Sequence, residues 1–400
     1  MTPFDFDEEI DRRAVFALKH HRRVLGADGM GLFPGGVADM DFRVAPCIAE
    51  AMSRRAAHGV FGYEAVPDGL LPALTGWLAA RHGWQVDLDH ILRAPNVLNA
   101  LAMAVNLFSD PGEGIIVQPP VFFDFADIIA ENGRRMVENP LILRDGRYEM
   151  DFDGLARVAA DPGTRMIFLC NPHNPVGRVW TRDELARLGA ICRAHDVLVV
   201  ADEIHGDITF AGHAYTPFAS LSAADAQNSV TCLSPAKSFN IAACCSAFTV
   251  VPDATRRAAF QAENSRLTVN KNNAFASAAM EAAYAGGGPW LDAALAYIEG
   301  NLDLVRARLG VIDTVDLIEP EGTFLLWLDF RKLGLAPDDL TAFLRGRARW
   351  AITRGIAFGA QGAGFARLNI ACPRARLARA LDDLETATAA APDREDPVRR

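Results

Sequence analysis

The sequence lacks the segments that mark membrane, secreted and nucleic-acid-binding proteins. No apolar run approaches the roughly 20 residues that a membrane-spanning helix needs. The N-terminal residues MTPFDFDEEIDRR are acidic and lack the basic and then apolar order of a secretory signal. The formal net charge is −10 with both signs mixed along the chain, so no basic surface for nucleic acid is indicated. We therefore predict a cytoplasmic protein that binds neither membranes nor nucleic acid.

Cysteine is present, but without the spacing of a disulfide framework or a metal site. The seven cysteines are an odd number, and none belongs to a C-x-x-C pair. They are Cys47, Cys170, Cys192, Cys232, Cys244, Cys245 and Cys372. Several lie within apolar segments, which is typical of buried thiols in a reducing compartment.

The short motifs of several large enzyme classes are also absent. The sequence contains no G-x-G-x-x-G, no G-x-x-x-x-G-K-[ST], no H-E-x-x-H and no G-x-S-x-G. Gly286 to Gly288 precede a proline, which favours a turn over a phosphate-binding loop. Dinucleotide-binding, P-loop, zinc-peptidase and serine-hydrolase functions are therefore not indicated, and no metal site is predicted.

What the sequence does contain is a regular alternation of apolar and amphipathic segments. The apolar segments are rich in Val, Ile and Leu, as expected for strands that are covered on both faces. They lie at residues 114–118, 165–170, 197–201, 229–233 and 247–251. Residues 181–196 have a helical pattern, in which Thr181 and Glu184 are spaced as a capping box. This order predicts an α/β domain with a mostly parallel sheet covered by helices.

A change of pattern near residue 290 predicts a second, smaller domain. Apolar residues from Leu291 to Leu309 recur at intervals of three and four, which indicates one long amphipathic helix. Strand-like segments follow at residues 323–330 and 365–371, so this domain is predicted to be α+β. We expect an N-terminal segment that joins the small domain (1–44), a large domain (45–290), the small domain (291–388) and a loose tail (389–400).

Three of the predicted strands are followed by side chains that can take part in catalysis. Asn174 follows the strand at 165–170, Asp202 the next strand, and Lys237 the strand at 229–233. Ligands of open parallel sheets bind outside the carboxyl ends of the strands. Each residue alone has an ordinary explanation as part of a turn, a helix cap or a surface cation, respectively. Together, an amide, a carboxylate and an amine indicate a catalytic cleft.

These three residue types suit pyridoxal 5′-phosphate (PLP). A desolvated lysine can bind the cofactor aldehyde covalently and act as a base. The aspartate can pair with the pyridinium nitrogen, and the asparagine can donate to the phenolate oxygen. Arg367, in the apolar segment GFARLN, would hold an amino-acid carboxylate through two parallel hydrogen bonds. The alternative for this arginine is an internal salt bridge with Asp or Glu.

The order Asn174, Asp202, Lys237, Arg367 resembles that of the fold-type I PLP enzymes, the aspartate aminotransferase superfamily. Within it, the chain most resembles the MalY/PatB-type cystathionine β-lyase (cysteine-S-conjugate β-lyase) group. The matching segments span nearly the whole chain: ADMDF (38–42), APCIAEAM (45–52), HGVFGY (58–63), NPHNPVGRVW (171–180), DEIHGD (202–207), KSFN (237–240), GPWLD (288–292), WLDFR (327–331) and RLNIACPR (367–374). The resemblance implies a large PLP-binding domain with a mostly parallel sheet and a smaller α+β domain.

The resemblance also implies further contacts to the cofactor. The backbone at Asn96 and Val97 would form a phosphate-binding helix start, and Ser234 would hold the same phosphate. Phe122 would stack on the pyridine ring, and His205 would be a further cofactor-binding residue.

Two more implied contacts concern the partner subunit and the substrate. Tyr63 would reach the cofactor phosphate of the other subunit, so the active unit is expected to be a homodimer. Val37 and Ala38 would lie beside the substrate carboxylate.

At three expected cofactor positions the chain departs from its relatives. Phe122 stands where the lyases usually carry tyrosine, so a hydroxyl group is lost while ring stacking is retained. Asn96 replaces a small residue, and Cys245 stands where many superfamily members carry a phosphate-binding arginine. These departures bear on which substrate the chain uses.

The function that the resemblance implies is β-elimination from cystathionine or another L-cysteine S-conjugate, which gives a thiol, pyruvate and ammonia. An aminotransferase that uses the same residues is the alternative, and the missing hydroxyl at Phe122 keeps it open. A regulatory protein derived from such an enzyme is a further alternative, although a purely binding protein has no need to keep the amine of Lys237.

Overall fold

A computed structural model describes residues 4–27 and 29–389 of the chain. The predicted loose tail therefore lies outside the described residues from position 390 onward, as do the first three residues of the predicted N-terminal segment. The α-helices are α1 (Arg22–Leu25), α2 (Pro46–Ala57), α3 (Leu70–His82), α4 (Val97–Phe108), α5 (Asp124–Glu131), α6 (Phe152–Ala159), α7 (Arg182–Ala194), α8 (Ala223–Gln227), α9 (Ala254–Arg266), α10 (Ala274–Gly286), α11 (Gly288–Leu309), α12 (Pro337–Gly346) and α13 (Arg374–Ala389).

The strands are β1 (Ile91–Ala94), β2 (Gly114–Val117), β3 (Arg135–Glu138), β4 (Ile142–Arg144), β5 (Arg147–Glu149), β6 (Thr164–Cys170), β7 (Leu198–Asp202), β8 (Ser229–Leu233), β9 (Ala247–Val250), β10 (Asp316–Ile318), β11 (Leu325–Asp329), β12 (Thr353–Arg354) and β13 (Phe365–Asn369). The five strands predicted for the large domain are β2, β6, β7, β8 and β9, each within one residue of its predicted bounds. Among residues 4–27 and 29–389, no helix is long and apolar enough to cross a bilayer.

The chain forms two structural units. The large unit contains Arg43–Ala296 and Glu319–Thr323, and the small unit contains Asp5–Phe42, Tyr297–Ile318 and the described chain from Phe324 onward. The helix α11 begins in the large unit and ends in the small one.

A seven-stranded sheet forms the centre of the large unit, with the strand order β1-β9-β8-β7-β6-β2-β3. Neighbouring strands from β8 to β3 are parallel, whereas β9 is antiparallel to both β8 and β1. Every residue of β7 and of β8 is buried, which is the physical reason for their continuous apolar sequences. The mostly parallel sheet predicted from the sequence is thereby confirmed.

Helix α7 shows how local sequence sets an element boundary in this unit. The hydroxyl group of Thr181 accepts a hydrogen bond from the amide of Glu184 at 3.2 Å, and the Glu184 carboxylate accepts one from the amide of Thr181 at 2.8 Å. This is the predicted capping box, and it satisfies two amide groups that would otherwise lack partners at the helix start.

The small unit contains a four-stranded antiparallel sheet with the order β10-β11-β13-β12. Its two central strands, β11 and β13, are the strand-like segments found in the sequence, and all of their residues are buried. The long helix is also confirmed, but α11 starts at Gly288, so that Pro289 lies in its first turn, where a proline is well tolerated.

Candidate active site

The strand register of the large unit brings the predicted site residues to one edge of the sheet. Cys170 at the end of β6 pairs with Asp202 at the end of β7, which in turn pairs with Cys232 in β8. Asn174 lies four residues beyond Cys170 and is buried. Its backbone amide donates a hydrogen bond to the Cys170 sulfur at 3.4 Å. Lys237 lies in the turn that follows β8.

Asp202 is a buried carboxylate whose pKa is affected by the charge of Lys237. Its side chain is 5% exposed, and Oδ1 accepts a hydrogen bond from the amide of Ile204 at 3.1 Å. Burial raises the pKa of Asp202 to about 6, while this hydrogen bond and the positive charge of Lys237 act in the opposite direction. The charge of Asp202 is therefore sensitive to any cation placed beside it.

Lys237 is half-buried rather than a freely exposed surface cation. Its neighbours Ala236 and Ser238 are both buried. The charge of Lys237 also acts on the thiol of Cys245, whose pKa is raised chiefly by burial. The charge of Lys237 therefore acts on both a buried carboxylate and a partly buried thiol.

The residues expected near a cofactor phosphate lie at the start of α4 and at the end of β8. Asn96 is the N-cap of α4, and its Oδ1 accepts a hydrogen bond from the amide of Asn99 at 2.8 Å. The Asn96 side chain thus satisfies one of the amide groups that a helix start can offer to an anion. The hydroxyl group of Ser234 donates to the carbonyl of Ser246 at 2.9 Å and lies 3.5 Å from the Cys245 sulfur.

The other residues of the large unit that the resemblance assigns to the cofactor differ in their exposure to solvent. Phe122 is partly buried, with its ring centroid 5.1 Å from that of Phe123 and 5.8 Å from that of Phe125. His205 is buried three residues after Asp202. Tyr63 is fully exposed to solvent.

The small unit brings Arg367 and the segment around Val37 together. Arg367 lies on β13 between β11 and β12 and is buried. Its guanidinium donates to the carbonyl of Gly36 at 2.7 Å, and the Asn369 amide donates to the carbonyls of Val37 and Asp39, both at 2.7 Å. Two neighbouring side chains of one strand therefore hold the segment that contains Val37 and Ala38.

A buried charge cluster, which the sequence did not reveal, holds the other side of this segment. Lys19 is 2% exposed, and its amine lies 3.0 Å from Asp39 Oδ1 and 3.2 Å from Asp41 Oδ2. Arg12 binds the same two carboxylates at 2.6 and 2.7 Å. Burying these carboxylates without such cations would be strongly unfavourable, so the cluster explains the charged residues of the ADMDF segment.

A large cavity of about 660 Å³ lies elsewhere in the small unit. Charged side chains that pair with one another form much of its lining, including Asp11 with Arg13 and Glu9 with Arg379. None of the predicted site residues in the described chain lines it, so its size alone does not make it the candidate site.

The residues at the sheet edge fit PLP. A buried carboxylate with a raised pKa is suited to pair with a protonated ring nitrogen, because a cation beside it offsets the unfavourable burial of its charge. A partly desolvated amine beside that carboxylate is suited to an aldehyde, and a helix start is suited to a phosphate. The large unit therefore contains polar groups that suit the ring nitrogen, the aldehyde and the phosphate of the cofactor.

Comparison with known proteins agrees with this arrangement. A family model described as aminotransferase class I and II matches residues 33–384. The chain belongs to this family.

Within the family, similar proteins share most of their length with this chain. Cystathionine β-lyase PatB of Bacillus subtilis (strain 168) is 42% identical over 355 residues, which cover 88% of this chain and 92% of PatB. Protein MalY of Escherichia coli (strain K12) is 32% identical over 387 residues, which cover 95% of this chain and 98% of MalY. The crystal structure of cystalysin from Treponema denticola, which contains a PLP cofactor, has a TM-score of 0.92 and 30% identity, and the match covers 96% of this chain and 98% of cystalysin.

Sequence reasoning missed two acidic residues of the DEIHGD segment. Burial raises the pKa of Glu203 to about 7, although Tyr215, the amide of Phe218 and Asn171 all donate hydrogen bonds to its carboxylate. Asp207 also accepts hydrogen bonds from three side chains. The available signal was that both acids follow the buried strand β7 within five residues, but their partners lie too far away in the sequence to be recognised there.

Proposed function

We propose that this chain is a PLP-dependent carbon–sulfur β-lyase that acts on cystathionine or another L-cysteine S-conjugate and releases a thiol, pyruvate and ammonia. The observation that carries the proposal is the buried carboxylate of Asp202 beside the half-buried amine of Lys237 at the edge of a parallel sheet. The similarity to PatB, which is named a cystathionine β-lyase, supports the choice of substrate class.

In this proposal, the bound PLP supplies an electron sink for negative charge that develops on the substrate α-carbon. The charge of Asp202 would keep the ring nitrogen protonated, and the side-chain amide of Asn174 would donate a hydrogen bond to the ring oxygen. Lys237 would hold the cofactor before the substrate arrives, and its amine, once free, would accept the α-proton as a general base. Loss of that proton would allow the bond between the β-carbon and sulfur to break with the sulfur leaving as a thiolate, and water would hydrolyse the released aminoacrylate to pyruvate and ammonia.

The proposed substrate contacts belong to the small unit. Arg367 binds the α-carboxylate through its guanidinium, a geometry that lysine could not reproduce. Its hydrogen bond to Gly36, together with those from Asn369, keeps the segment with Val37 and Ala38 in a fixed conformation beside it. Fixing these groups before binding reduces the entropy lost when the substrate is ordered.

A product assay tests this function and separates it from aminotransfer. With PLP and cystathionine, we expect pyruvate and free thiol to form in equal amounts. Aminotransfer is the second candidate, because the family includes aminotransferases and because Phe122 brings no hydroxyl group to the ring. An amino acid that converts the bound cofactor to its amine form, reversibly with a keto acid and without thiol release, would establish aminotransfer and reject the lyase proposal.

We further propose that the active unit is a homodimer in which Tyr63 contacts the phosphate bound to the partner. Tyr63 is fully exposed, and Val60 and Phe61 beside it are more than half exposed, as expected for residues that a second protein covers. Light scattering should therefore give twice the chain mass of 43.3 kDa. A monomer that retains full lyase activity would contradict the role of Tyr63.

We also propose a cytoplasmic location. All seven cysteines are thiols, which suits a reducing compartment. Recovery of the lyase activity in the cytoplasmic fraction of the source cells would support this, and recovery outside it would not.

A further inference from the structure

A buried polar network lies directly beside the proposed cofactor residues in the large unit. Glu203 follows Asp202, and Ser238 follows Lys237; both are buried. The network therefore contacts the same two chain segments that present the acid and the amine.

Asp207 lies at the centre of this network. Its carboxylate accepts hydrogen bonds from Ser238 at 2.6 Å, from the Trp77 indole at 2.8 Å and from His82 Nε2 at 2.8 Å. Its side chain is 12% exposed, and Arg81 Nε lies 4.0 Å away. Burial acts to raise the pKa of Asp207, but these hydrogen bonds and the charge of His82 outweigh burial and hold the pKa below its usual range. Asp207 is therefore ionised near neutral pH.

The second half of the network connects to Asp202. The His82 ring packs edge-on against Tyr215 at 4.9 Å, and the Tyr215 hydroxyl group donates to the Glu203 carboxylate. Gly206 makes this packing possible, because a Cβ atom there would lie 2.9 Å from the Tyr215 ring. The six-residue segment from Asp202 to Asp207 thus carries Asp202 at one end and, at the other, Asp207, which accepts the hydrogen bond from Ser238.

Given the proposed function, we infer that Asp207 is a positioning residue for Lys237. Trp77 and His82 both belong to α3, so Asp207 connects the turn that contains the lysine to a 13-residue helix. Hydrogen bonds to an ionised acceptor are about twice as strong as neutral ones and are directional. The three bonds together restrict where Ser238, and hence the adjacent Lys237, can lie.

The orientation of the amine is a property to which catalysis is sensitive. Displacement of a catalytic group by about 1 Å can lower a rate roughly 100-fold. A residue that merely stabilised the fold would affect thermal unfolding without changing how the bound cofactor is oriented. The two roles can therefore be separated by a readout of cofactor orientation.

The test compares Asp207→Asn with Asp292→Asn in the PLP-loaded protein. Asp292 is a matched control because it also accepts a hydrogen bond from a side chain of α3, Arg81 at 2.8 Å, but is largely exposed. For Asp207→Asn we expect a weaker circular dichroism signal of the visible cofactor band and a kcat about 10- to 100-fold lower, with KM changed less than about threefold. The control should match the wild type within about twofold in both measurements.

Ser238→Ala provides a second, milder variant that removes one of the three bonds and leaves the carboxylate in place. A reduced dichroism signal and a reduced kcat in this variant would support the inference even if Asp207→Asn did not fold. Wild-type dichroism and kcat in Ser238→Ala and in any folded Asp207→Asn, with only the unfolding temperature lowered, would show a purely structural role and overturn it. If the wild-type protein itself bound no PLP, the proposed function would fail, and this inference would fail with it.

Discussion

The Lys237→Ala variant is expected to release thiol and pyruvate from cystathionine about 1,000- to 10,000-fold more slowly than the wild type, which is the upper range for the loss of a general base. The reason is that, in the proposed function, one amine would both hold the cofactor and accept the α-proton. Lys237 is suited to this because it is half-buried and lies close enough to Asp202 to alter its pKa. Rates are measured from initial pyruvate formation at saturating PLP.

Lys332→Ala is the matched control for this variant. Lys332 is more than half exposed and pairs with Asp316 at 2.7 Å, an interaction that contributes little to stability or function. We expect its activity to equal that of the wild type. Borohydride treatment should add the cofactor mass to the peptide with Lys237 in the wild type and in Lys332→Ala, but not in Lys237→Ala. Attachment to a different lysine would reject the assignment.

Asp202→Asn is expected to lower the lyase rate about 100- to 1,000-fold, comparable to the loss of one preorganised electrostatic contact in an active site. A neutral amide could not hold a proton on the ring nitrogen of bound PLP by charge, so electron withdrawal from the α-carbon would weaken. The Ile204 amide can still donate to the substituted side chain at the same place, because the carbonyl oxygen of an asparagine side chain is an acceptor. The expected loss is therefore one of charge and not of local structure.

The same substitution is expected to stabilise the protein in the absence of PLP. The carboxyl group has a pKa of about 6 in the folded chain against an ordinary value of 3.8, so the folded state binds the proton more tightly. Stability from this group is therefore greatest below the unfolded pKa and is lost as pH rises toward the folded value. Two pKa units correspond to about 3 kcal/mol, and this is a net value, because the folded pKa already includes the attraction to Lys237 and the hydrogen bond from Ile204.

Urea unfolding of the PLP-free proteins at pH 8 and pH 4 measures this effect. At pH 8 we expect Asp202→Asn to be more stable than the wild type by about 1–3 kcal/mol, and at pH 4 most of the difference should vanish because the wild-type carboxyl group is then largely protonated. Asp292→Asn, at an exposed position, should show no comparable pH-dependent gain. A loss of stability at pH 8 in Asp202→Asn would contradict the proposed burial of an ionised group.

Several parts of the fold followed from short-range patterns. Strands β7 and β8 are apolar at nearly every position because both of their faces are covered, and the Thr181 capping box spans only four residues. Parallel strands place their carboxyl ends together, so the order of strands along the chain also predicts that Asn174, Asp202 and Lys237 lie at one edge of the sheet. The family resemblance extended this to Arg367, whose role stays a prediction.

The burial of several charged residues, and the partners they bind, could not be predicted from short-range sequence patterns. Lys19 looks like a surface residue in the sequence, yet it is buried against Asp39 and Asp41, some twenty residues further on. Asp207 binds two side chains of α3 that precede it by more than 120 residues. A charge is stable in a protein interior only where its partners converge on it, and that convergence depends on how distant segments pack. Periodicity and motifs therefore predicted a candidate site, whereas only the folded chain revealed the distant partners of the buried charged residues.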